Sequence, residues 1–507
     1  MPDSLSAVWY RPDFTPRLSP PLDLTPRSCT WSALGGPESA VLEGEYTPAG
    51  LGELAGLLRC PLELVDGGGE AVWWGFVSAV EVRRGRLRLR ADLSELANRV
   101  SAVYLSRSNG LAGGGVSCVT GWAEDAASQA RFGVKELRLE IGPATLAQAE
   151  AVRGAELARR CKIRAIPRLA ASQFDLEAGI VRVEACGWYE TLDWRLAVQP
   201  PGLEQHPAAA MGKHQALGDA AGSQRLAQSL TVTSSGWRGE ELSLSIRRVG
   251  APTDTFQVAL HADSSGAPGA ILASAAVSGA TLPISECWER FVFDPPAGPF
   301  SAGQKLWIVL SRSGSVSAAQ HYRVLVDENL GYTGGVLHFW NGSAWTARSP
   351  EADLCFRLAG GTETSRQLAT LAGGGEFFSA VRVSPSSALF TNPWRGGDTS
   401  LLDEINLLLK AGCAVGPYQA RVSKERVLSI TPHPSADNPA FILASSGELR
   451  ARCGRPAEPR DQPVGQWAAL EADALLSEPG WFSGRIFISR LTWTAESGLL
   501  IPGEGTR

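Results

Sequence analysis

The chain has 507 residues, of which 44% are hydrophobic and 20% are charged, and its net charge is −5. At about 150 residues per domain, this length predicts roughly three domains, each large enough to bury a core. The acidic balance argues against a nucleic-acid-binding protein that works through a broad basic face.

Targeting and membrane segments are not indicated by the sequence. No apolar run reaches the roughly 18 residues that a membrane-spanning helix needs, so we expect no membrane insertion. The first residues, from Met1 to Ser4, lack the basic stretch and apolar run of a signal peptide. We therefore expect synthesis in the cytoplasm.

The first 200 residues mix strand-like and helix-like patterns. Residues 71–82 are a long apolar run that predicts a strand, and a turn is predicted at 83–85. The segment 86–93 alternates leucine with arginine, which predicts a strand whose leucines face inward and whose arginines face outward. Helices are predicted over 124–131 and 144–161, because their spacing and their glycine and proline boundaries fit that structure.

Composition divides the rest of the chain into three parts. Residues 206–226 are rich in alanine and glycine, and we interpret them as a linker. Residues 227–358 contain short strand-like runs separated by turns, which is typical of a β-sandwich. Residues 359–507 again mix strand-like and helix-like patterns, as residues 1–205 do. The predicted fold is α+β and β-dominated, with a sandwich inserted into a host formed by the two outer parts.

Several segments of the outer parts are similar to one class of viral protein. The apolar strand at 73–77, the segment 127–136 with the alanine-rich helix after it, and residues 187–192 resemble tail-tip or baseplate hub proteins of tailed bacteriophages. The helix start at 396–398 and the strand at 418–422 resemble the second half of the same class.

This resemblance implies a fold, an assembly and a location. The fold would consist of hub-like β-barrel domains with helical additions, and the assembly would be a homotrimer that forms a ring at the end of the tail tube. Its partners would be the tail tube or a distal tail protein ring, the tape-measure protein and other tail-tip or fibre proteins. The chain would be a structural protein of the virion tail tip, not an enzyme, made in the cytoplasm of the bacterial host.

The inserted part resembles carbohydrate-binding-like jelly-roll modules in its turns and core positions, including 242–244, 263–269 and 300–309. A module of this kind, pointing outward, would contact a host cell-surface polysaccharide. The candidate ligand-binding residues are aromatic side chains near predicted loops: Tyr322, Tyr332, His338, Trp340 and Trp345. Flat aromatic rings can stack on the apolar faces of sugars. In the alternative interpretation, Trp340 and Trp345 flank the Asn341–Gly342 turn and pack across a hairpin.

Catalytic and metal sites are not indicated. The six histidines lack HxH and HExxH spacing, and the nine cysteines form no CxxC pair. No GxSxG or P-loop motif occurs, so we assign no catalytic residue and expect no cofactor. Asp263 and Asp353 could hold a structural calcium ion in the jelly roll; the alternative is an ordinary turn and a strand-edge charge.

A row of arginines marks a possible interface. Arg84, Arg86, Arg88 and Arg90 alternate along one segment, which predicts that they share one face of a strand, although Arg84 could already lie in the turn. In one interpretation they pair with acidic residues of a neighbouring subunit, and in the other they face water along a solvated edge.

A second function class also fits the inserted sandwich. The chain could be a secreted carbohydrate-binding or polysaccharide-degrading protein, which would use the same aromatic residues. The expected absence of a signal peptide argues against that interpretation.

Overall fold

The computed structural model describes most of the chain. The described residues are 5–17, 23–45, 54–106, 116–169, 179–198, 204–206, 212–233, 235–328, 332–349, 351–386, 389–391, 399–444, 448–453, 455–470, 485–496 and 500–502. The helix start expected at 396–398 lies outside them, apart from the capping Ser400 that follows.

The chain divides into two compact units. The host unit contains Met1–Val198, Leu368–Ser387 and Gly396–Arg507, and the inserted unit contains Gln199–Gln367 and Ala388–Arg395. The inserted unit is therefore larger than the predicted segment 227–358. The reason is that residues on both sides of that segment also form strands with it.

The segment 206–226, which the sequence suggests is a linker, is instead part of the inserted unit where it is described. Gly212–Leu217 is a strand that pairs antiparallel with His321–Asp327, so Leu217 lies opposite Tyr322. The last two residues of the segment begin the strand Arg225–Thr231. Backbone pairing with partners about a hundred residues away thus gives this segment a regular structure that its composition does not indicate.

The host unit is built mainly from strands. They are Ser6–Trp9, Thr25–Ser32, Leu34–Glu45, Pro61–Val65, Ala71–Arg84, Leu87–Asp92, Arg99–Ser106, Val116–Val119, Ala123–Glu124, Glu136–Ala144, Ile166–Leu169, Ile180–Cys186, Ala380–Val383, Tyr418–Val422, Val427–Pro432, Phe441–Leu443, Leu449–Ala451, Trp467–Leu470, Arg485–Phe487, Arg490–Thr494 and Leu500–Pro502. Among the described residues they form one 13-stranded sheet and two four-stranded sheets.

The described residues contain four α-helices: α1 (Ala126–Phe132), α2 (Leu146–Arg160), α3 (Thr364–Ala372), which begins in the inserted unit and ends in the host unit, and α4 (Leu401–Ala411). Shorter 3-10 helices occur at Ala55–Leu57, Trp188–Trp194, Ala221–Ser223, Gly279–Thr281 and Pro459–Asp461. The predicted helices at 124–131 and 144–161 are confirmed as α1 and α2. In α2 the Thr145 hydroxyl accepts from the Gln148 backbone N–H and the Gln148 side chain accepts from the Thr145 N–H, which fixes the start of the helix.

The amino-terminal and carboxy-terminal parts of the host unit share the 13-stranded sheet. Thr25–Ser32 pairs antiparallel with Arg490–Thr494, and Leu34–Glu45 pairs in parallel with Tyr418–Val422. In addition, the Trp74 Nε1–H donates to the Val422 carbonyl oxygen at 2.8 Å. The two outer parts of the sequence therefore contribute strands to one sheet.

Aromatic rings around Arg59 also join these two parts. The Arg59 guanidinium carbon lies 5.6, 5.2 and 4.3 Å from the ring centroids of Phe14, Trp188 and Phe377. The guanidinium of Arg426 lies 3.7 Å from the Phe14 centroid. We call these five residues the arginine box. It contains side chains from both ends of the sequence, so it stabilises the host unit through long-range contacts.

The inserted unit contains two sheets that share one core. Its strands are Glu204–His206, Gly212–Leu217, Arg225–Thr231, Trp237–Val249, Thr255–Ser264, Ala267–Ser278, Cys287–Phe300, Lys305–Arg312, His321–Asp327, Leu337–Trp340, Trp345–Ala347, Asp353–Leu354, Phe356–Ala359, Thr362–Glu363 and Phe390–Thr391. Of the strands described, nine belong to one sheet and six to the other. Leu242 and Leu244 of the first sheet pack in one cluster with Phe256 and Ile308 of the second.

The fold class is α+β and rich in β-structure, as predicted. None of the five sheets closes into a barrel within the described residues, so the barrel-like domains that the resemblance implies are not seen there. No helix of the described part is long and apolar enough to cross a membrane.

Candidate ligand-binding face of the inserted sandwich

The six-stranded sheet has a second face, directed away from the core, that carries most of the candidate site. Its strand order begins with Ala267–Ser278, Thr255–Ser264 and Lys305–Arg312, and continues with Arg225–Thr231, Leu337–Trp340 and Trp345–Ala347. In Lys305–Arg312, alternate residues Leu306 and Ile308 enter the core, while Trp307 and Val309 pack with Ala227 in a separate cluster. Alternation along a strand places those residues on the opposite face.

Strand register arranges this outer face in transverse rows. In one row, Trp307 lies opposite His261 and Ser229. In the next, Val309 lies between Ala259 and Ala227, and Ala227 lies opposite His338. In a third, Ser311 lies between Gln257 and Arg225. We use the name outer face for the following side chains: Arg225, Ala227, Gln257, Ala259, His261, Lys305, Trp307, Val309, Ser311, His338, Trp340 and Trp345.

Trp307 is the fixed centre of the outer face. It is fully buried, and its Nε1–H donates to the Asp263 carboxylate at 2.7 Å. The hydrogen bond from Trp307 lowers the pKa of Asp263. The Lys305 ammonium lies 5.1 Å from the Trp307 ring centroid and 3.9 Å from the Asp263 carboxylate. These contacts hold the indole in one orientation and give Asp263 two partners.

Trp340 and Trp345 form a half-buried aromatic pair beside this centre. They lie opposite each other across the hairpin, with ring centroids 5.4 Å apart. The Asn341 side-chain oxygen accepts from the Ser343 and Ala344 N–H groups and fixes the turn. The predicted packing across a hairpin is therefore confirmed. A ligand-binding role for the two rings stays a prediction, and each ring keeps an exposed portion.

His338 and His261 are neutral members of the outer face. The His338 ring makes an edge contact with Trp307, with centroids 4.9 Å apart. The His261 Nδ1 lies 2.8 Å from the Gly269 carbonyl oxygen. Burial lowers the pKa of both imidazoles below their ordinary value near 6.5, so neither contributes a positive charge at neutral pH.

Arg225 is an exposed cation of the outer face. Its guanidinium carbon lies 6.0 Å from the Trp340 ring centroid, at the outer limit of a cation–π contact. Among the described residues, no carboxylate forms an ion pair with it. Ser311 lies opposite Arg225 in register, and its hydroxyl lies 3.4 Å from the Gln257 side-chain oxygen. A basic group, an aromatic pair and short polar side chains therefore lie in one row.

Tyr322 is not part of this face, because the structure places it in the core. It is fully buried, and its ring makes an edge contact with Phe256. Its hydroxyl donates to the Asp254 carboxylate at 2.8 Å, and Arg312 Nε–H donates to the other oxygen of that carboxylate at 2.7 Å. Burial raises the pKa of Tyr322, and a ligand in solvent has no access to its ring.

Tyr332 also lies away from the outer face. It packs against the core cluster, with its ring 5.4 Å from that of Phe356 and 6.0 Å from that of His206. Three of the five predicted ligand residues, His338, Trp340 and Trp345, are therefore brought together, and the two tyrosines are not.

The two aspartates considered for calcium lie in different surroundings and have other partners. Asp263 hydrogen-bonds Trp307, whereas Asp353 is buried and accepts from the Gln228 side chain at 3.3 Å and from the Tyr332 backbone N–H at 3.3 Å. The described residues contain no group of three or more His, Cys, Asp or Glu that could hold a metal ion.

The predicted arginine row is only partly formed. Arg88 and Arg90 lie in the strand Leu87–Asp92, but Arg86 lies in the turn before it. Register places Arg84 opposite Leu87, which puts it on the other face. Of the leucines expected to face inward, Leu87 is 49% exposed, whereas Leu93 is buried, so the prediction holds only for the end of the segment.

Arg90 forms ion pairs with acidic residues of its own chain. It forms ion pairs with Glu184 at 2.8 Å and Asp92 at 3.0 Å. Arg182 extends this network by pairing with Glu184 at 3.2 Å and with Glu43 at 3.3 Å. The described partners of Arg90 are thus acidic residues of its own chain, in an ion-pair network across the sheet.

Sequence reasoning missed Arg225, Trp307 and Gln257 as members of the outer face. Trp307 lies in an apolar run, 306–310, where alternation cannot distinguish the two faces. Arg225 lies in the segment that we interpreted as a linker. For Tyr322 a signal existed, because Tyr322, Val324 and Val326 alternate with polar or partly exposed residues and share the core face.

Comparisons with known proteins give little further information. No protein-family model and no curated protein matches the chain. A glycoside hydrolase family 43 arabinoxylan arabinofuranohydrolase from Bacillus subtilis, in complex with cellotetraose, aligns over 61% of this chain and 65% of its own at 10% identity and a TM-score of 0.14. The VP2 subviral particle of infectious bursal disease virus aligns over 68% and 79% at 12% identity and a TM-score of 0.17. With TM-scores this low, neither likeness bears on the fold or the function.

Proposed function

We propose that the chain is a structural tail-tip or baseplate hub protein of a tailed bacteriophage, in which an inserted jelly-roll sandwich binds a glycan of the host surface. One observation carries the structural role. The two outer parts of the sequence close into one host unit through the 13-stranded sheet, so the sandwich is an addition to a complete scaffold. The trimeric ring and its partners, the tail tube and the tape-measure protein, follow from the resemblance.

The outer face of the inserted sandwich supports the binding role. The half-exposed rings of Trp340 and Trp345 offer apolar surface for sugar faces, and Gln257 and Ser311 offer hydrogen bonds for hydroxyl groups. Trp307, buried at the centre of this face, packs against Ala227 and Val309 and fixes the position of the surrounding side chains. Such a preformed face binds with a small loss of side-chain freedom.

Assembly of the purified full chain tests the structural role. Light scattering should give a particle of three 53.8 kDa chains at micromolar concentration. A particle with the mass of one chain under those conditions would contradict the hub proposal.

Glycan binding tests the role of the outer face. The full chain should bind cell-surface polysaccharides, and Trp340→Ala should weaken that binding about tenfold through the loss of stacking. Trp288→Ala is a matched control, since Trp288 lies on the nine-stranded sheet and is 38% exposed. Release of reducing sugar from the same polysaccharides would instead favour a polysaccharide-degrading protein.

A further inference from the structure

The charge distribution on the outer face indicates the chemical class of its ligand. The charged side chains there are Arg225 and Lys305, with Asp263 at the edge, and both histidines are uncharged at neutral pH. Asp263 already accepts hydrogen bonds from Trp307 and from the Gly266 N–H, and it lies 3.9 Å from Lys305. Arg225 is thus the cation of this face that lacks a carboxylate partner among the described residues.

The neighbours of Arg225 restrict the ligand further. The Trp340 ring lies beside it, at 6.0 Å from the guanidinium carbon, and stacks favourably with a flat pyranose face. A pyranose placed on Trp340 would bring a substituent on its ring edge within reach of Arg225. A planar guanidinium binds a carboxylate through two parallel hydrogen bonds.

From this arrangement we infer that the outer face binds a polysaccharide of pyranose units that carry carboxylate groups, a polyuronate. Arg225 contacts the carboxylate, Trp340 and Trp345 stack on the sugar rings, and Gln257 and Ser311 contact hydroxyl groups. A polyol phosphate chain has the negative charge but lacks the pyranose faces that the two indoles would cover. This inference rests on the proposed glycan-binding function and names its ligand class.

Binding of the full chain to two forms of one polymer tests the inference. Polygalacturonate carries free carboxylates, and its methyl ester has the same sugar backbone without the charge. We expect the acid form to bind about tenfold more tightly, because one charge-assisted contact is worth about that factor. In Arg225→Gln the acid form should bind no more tightly than the ester, whereas Trp340→Ala should weaken binding of both forms and keep the preference for the acid.

Controls make each outcome decisive. Arg290→Gln is a matched variant on the other sheet, where Arg290 pairs with Glu241, and it should bind both polymers as the unaltered chain does. Equal affinity for the acid and the ester, preference for poly(glycerol phosphate), or an unchanged preference in Arg225→Gln would overturn the inference.

The same experiment separates this inference from the proposed function. If neutral glycans bind and Trp340→Ala weakens that binding, the proposed glycan-binding function stands even though the polyuronate inference fails. If no glycan of either kind binds, the binding function itself fails. Unfolding temperatures of the variants show that each is folded.

Discussion

Two of the regions where arginine and tryptophan side chains meet, the arginine box and the outer face, differ in their surroundings. In the arginine box, Arg59 is 6% exposed and contacts three aromatic rings, and its Nε and Nη1 have no hydrogen-bond partner among the described residues. On the outer face, Arg225 is exposed and lies near the single ring of Trp340. An arginine beside aromatic rings thus contributes to packing in the enclosed arginine box, whereas on the outer face its guanidinium is exposed to solvent.

Backbone conformation separates the two regions as well. Phe14, Arg59 and Arg426, all members of the arginine box, have positive φ values of 65°, 71° and 64°. Residues other than glycine rarely adopt this backbone conformation, which costs about 1 to 3 kcal/mol per residue. Burial also lowers the pKa of Arg59 to about 10. The packing around the arginine box must therefore offset this backbone strain and the burial of a charge, whereas the outer face is formed by regular strands.

The largest effect is expected from removing a ring of the box. Trp188→Ala should lower the free energy of unfolding of the host unit by about 3 to 5 kcal/mol, because it leaves a cavity beside Arg59. Denaturant unfolding with hydrogen exchange of peptides from residues 180–198 would measure this loss. Trp340→Ala is the control and should cost less, about 1 to 2 kcal/mol, since its ring is only half-buried. Similar losses for both would remove the distinction between the regions.

A second comparison concerns two buried arginines. Arg312 pairs with Asp254 at 2.7 Å, and both side chains are almost fully buried. Arg312→Met would leave the Asp254 charge without its partner and should lower stability by about 3 to 5 kcal/mol. Thermal and denaturant unfolding of the full chain would measure it, with Arg290→Gln as the exposed control.

Arg59→Met should have a smaller effect than Arg312→Met. The substitution removes cation–π contacts, but it also removes a buried charge that has unsatisfied N–H groups, and the two changes oppose each other. We expect a net change below about 2 kcal/mol in the same unfolding experiments. A loss as large as that of Arg312→Met would show that Arg59 has a strong anionic partner.

The smallest effect is a pH dependence of opposite sign in the two units. The hydrogen bond from Arg90 lowers the pKa of Glu184 in the host unit. Its contribution to stability is therefore present above its unfolded pKa and is lost as the pH falls through its folded pKa. Burial raises the pKa of Asp353 in the inserted unit, so its contribution is complete below its unfolded pKa and is lost as the pH rises through its folded pKa.

Hydrogen exchange between pH 3 and pH 7 would separate these two contributions, after correction for the intrinsic exchange rate. Acidification should weaken protection near residues 180–186 and strengthen it near residues 353–359. Glu184→Gln and Asp353→Asn should each flatten the response of their own region. A response of the same sign in both regions would contradict the assignment.

Sequence patterns predicted the helices and strands better than they predicted the surroundings of individual side chains. The α2 helix and the strand Ala71–Arg84 were predictable, because local periodicity and caps determine them. The strand Gly212–Leu217 was not, because its pairing partner is about a hundred residues away. The environment of Arg90 was not predictable either, since its partner Glu184 reaches it only through sheet register.

The candidate site shows the same limit. Its aromatic hairpin was identified from the turn residues between Trp340 and Trp345, which are local in sequence. Arg225 and Gln257 reach that hairpin only through sheet pairing: the strand of Arg225 pairs with the hairpin, and Lys305–Arg312 separates it from the strand of Gln257. Charge and stacking groups of the face thus come from separate parts of the chain, which no local pattern brings together.

Electron micrographs of the purified full chain, averaged without imposed symmetry, test the central claim most directly. If the host unit is the scaffold of a tail-tip hub, the images should show threefold rings with an open axis, each subunit carrying the inserted sandwich. A uniform population of single chains at micromolar concentration would contradict the account.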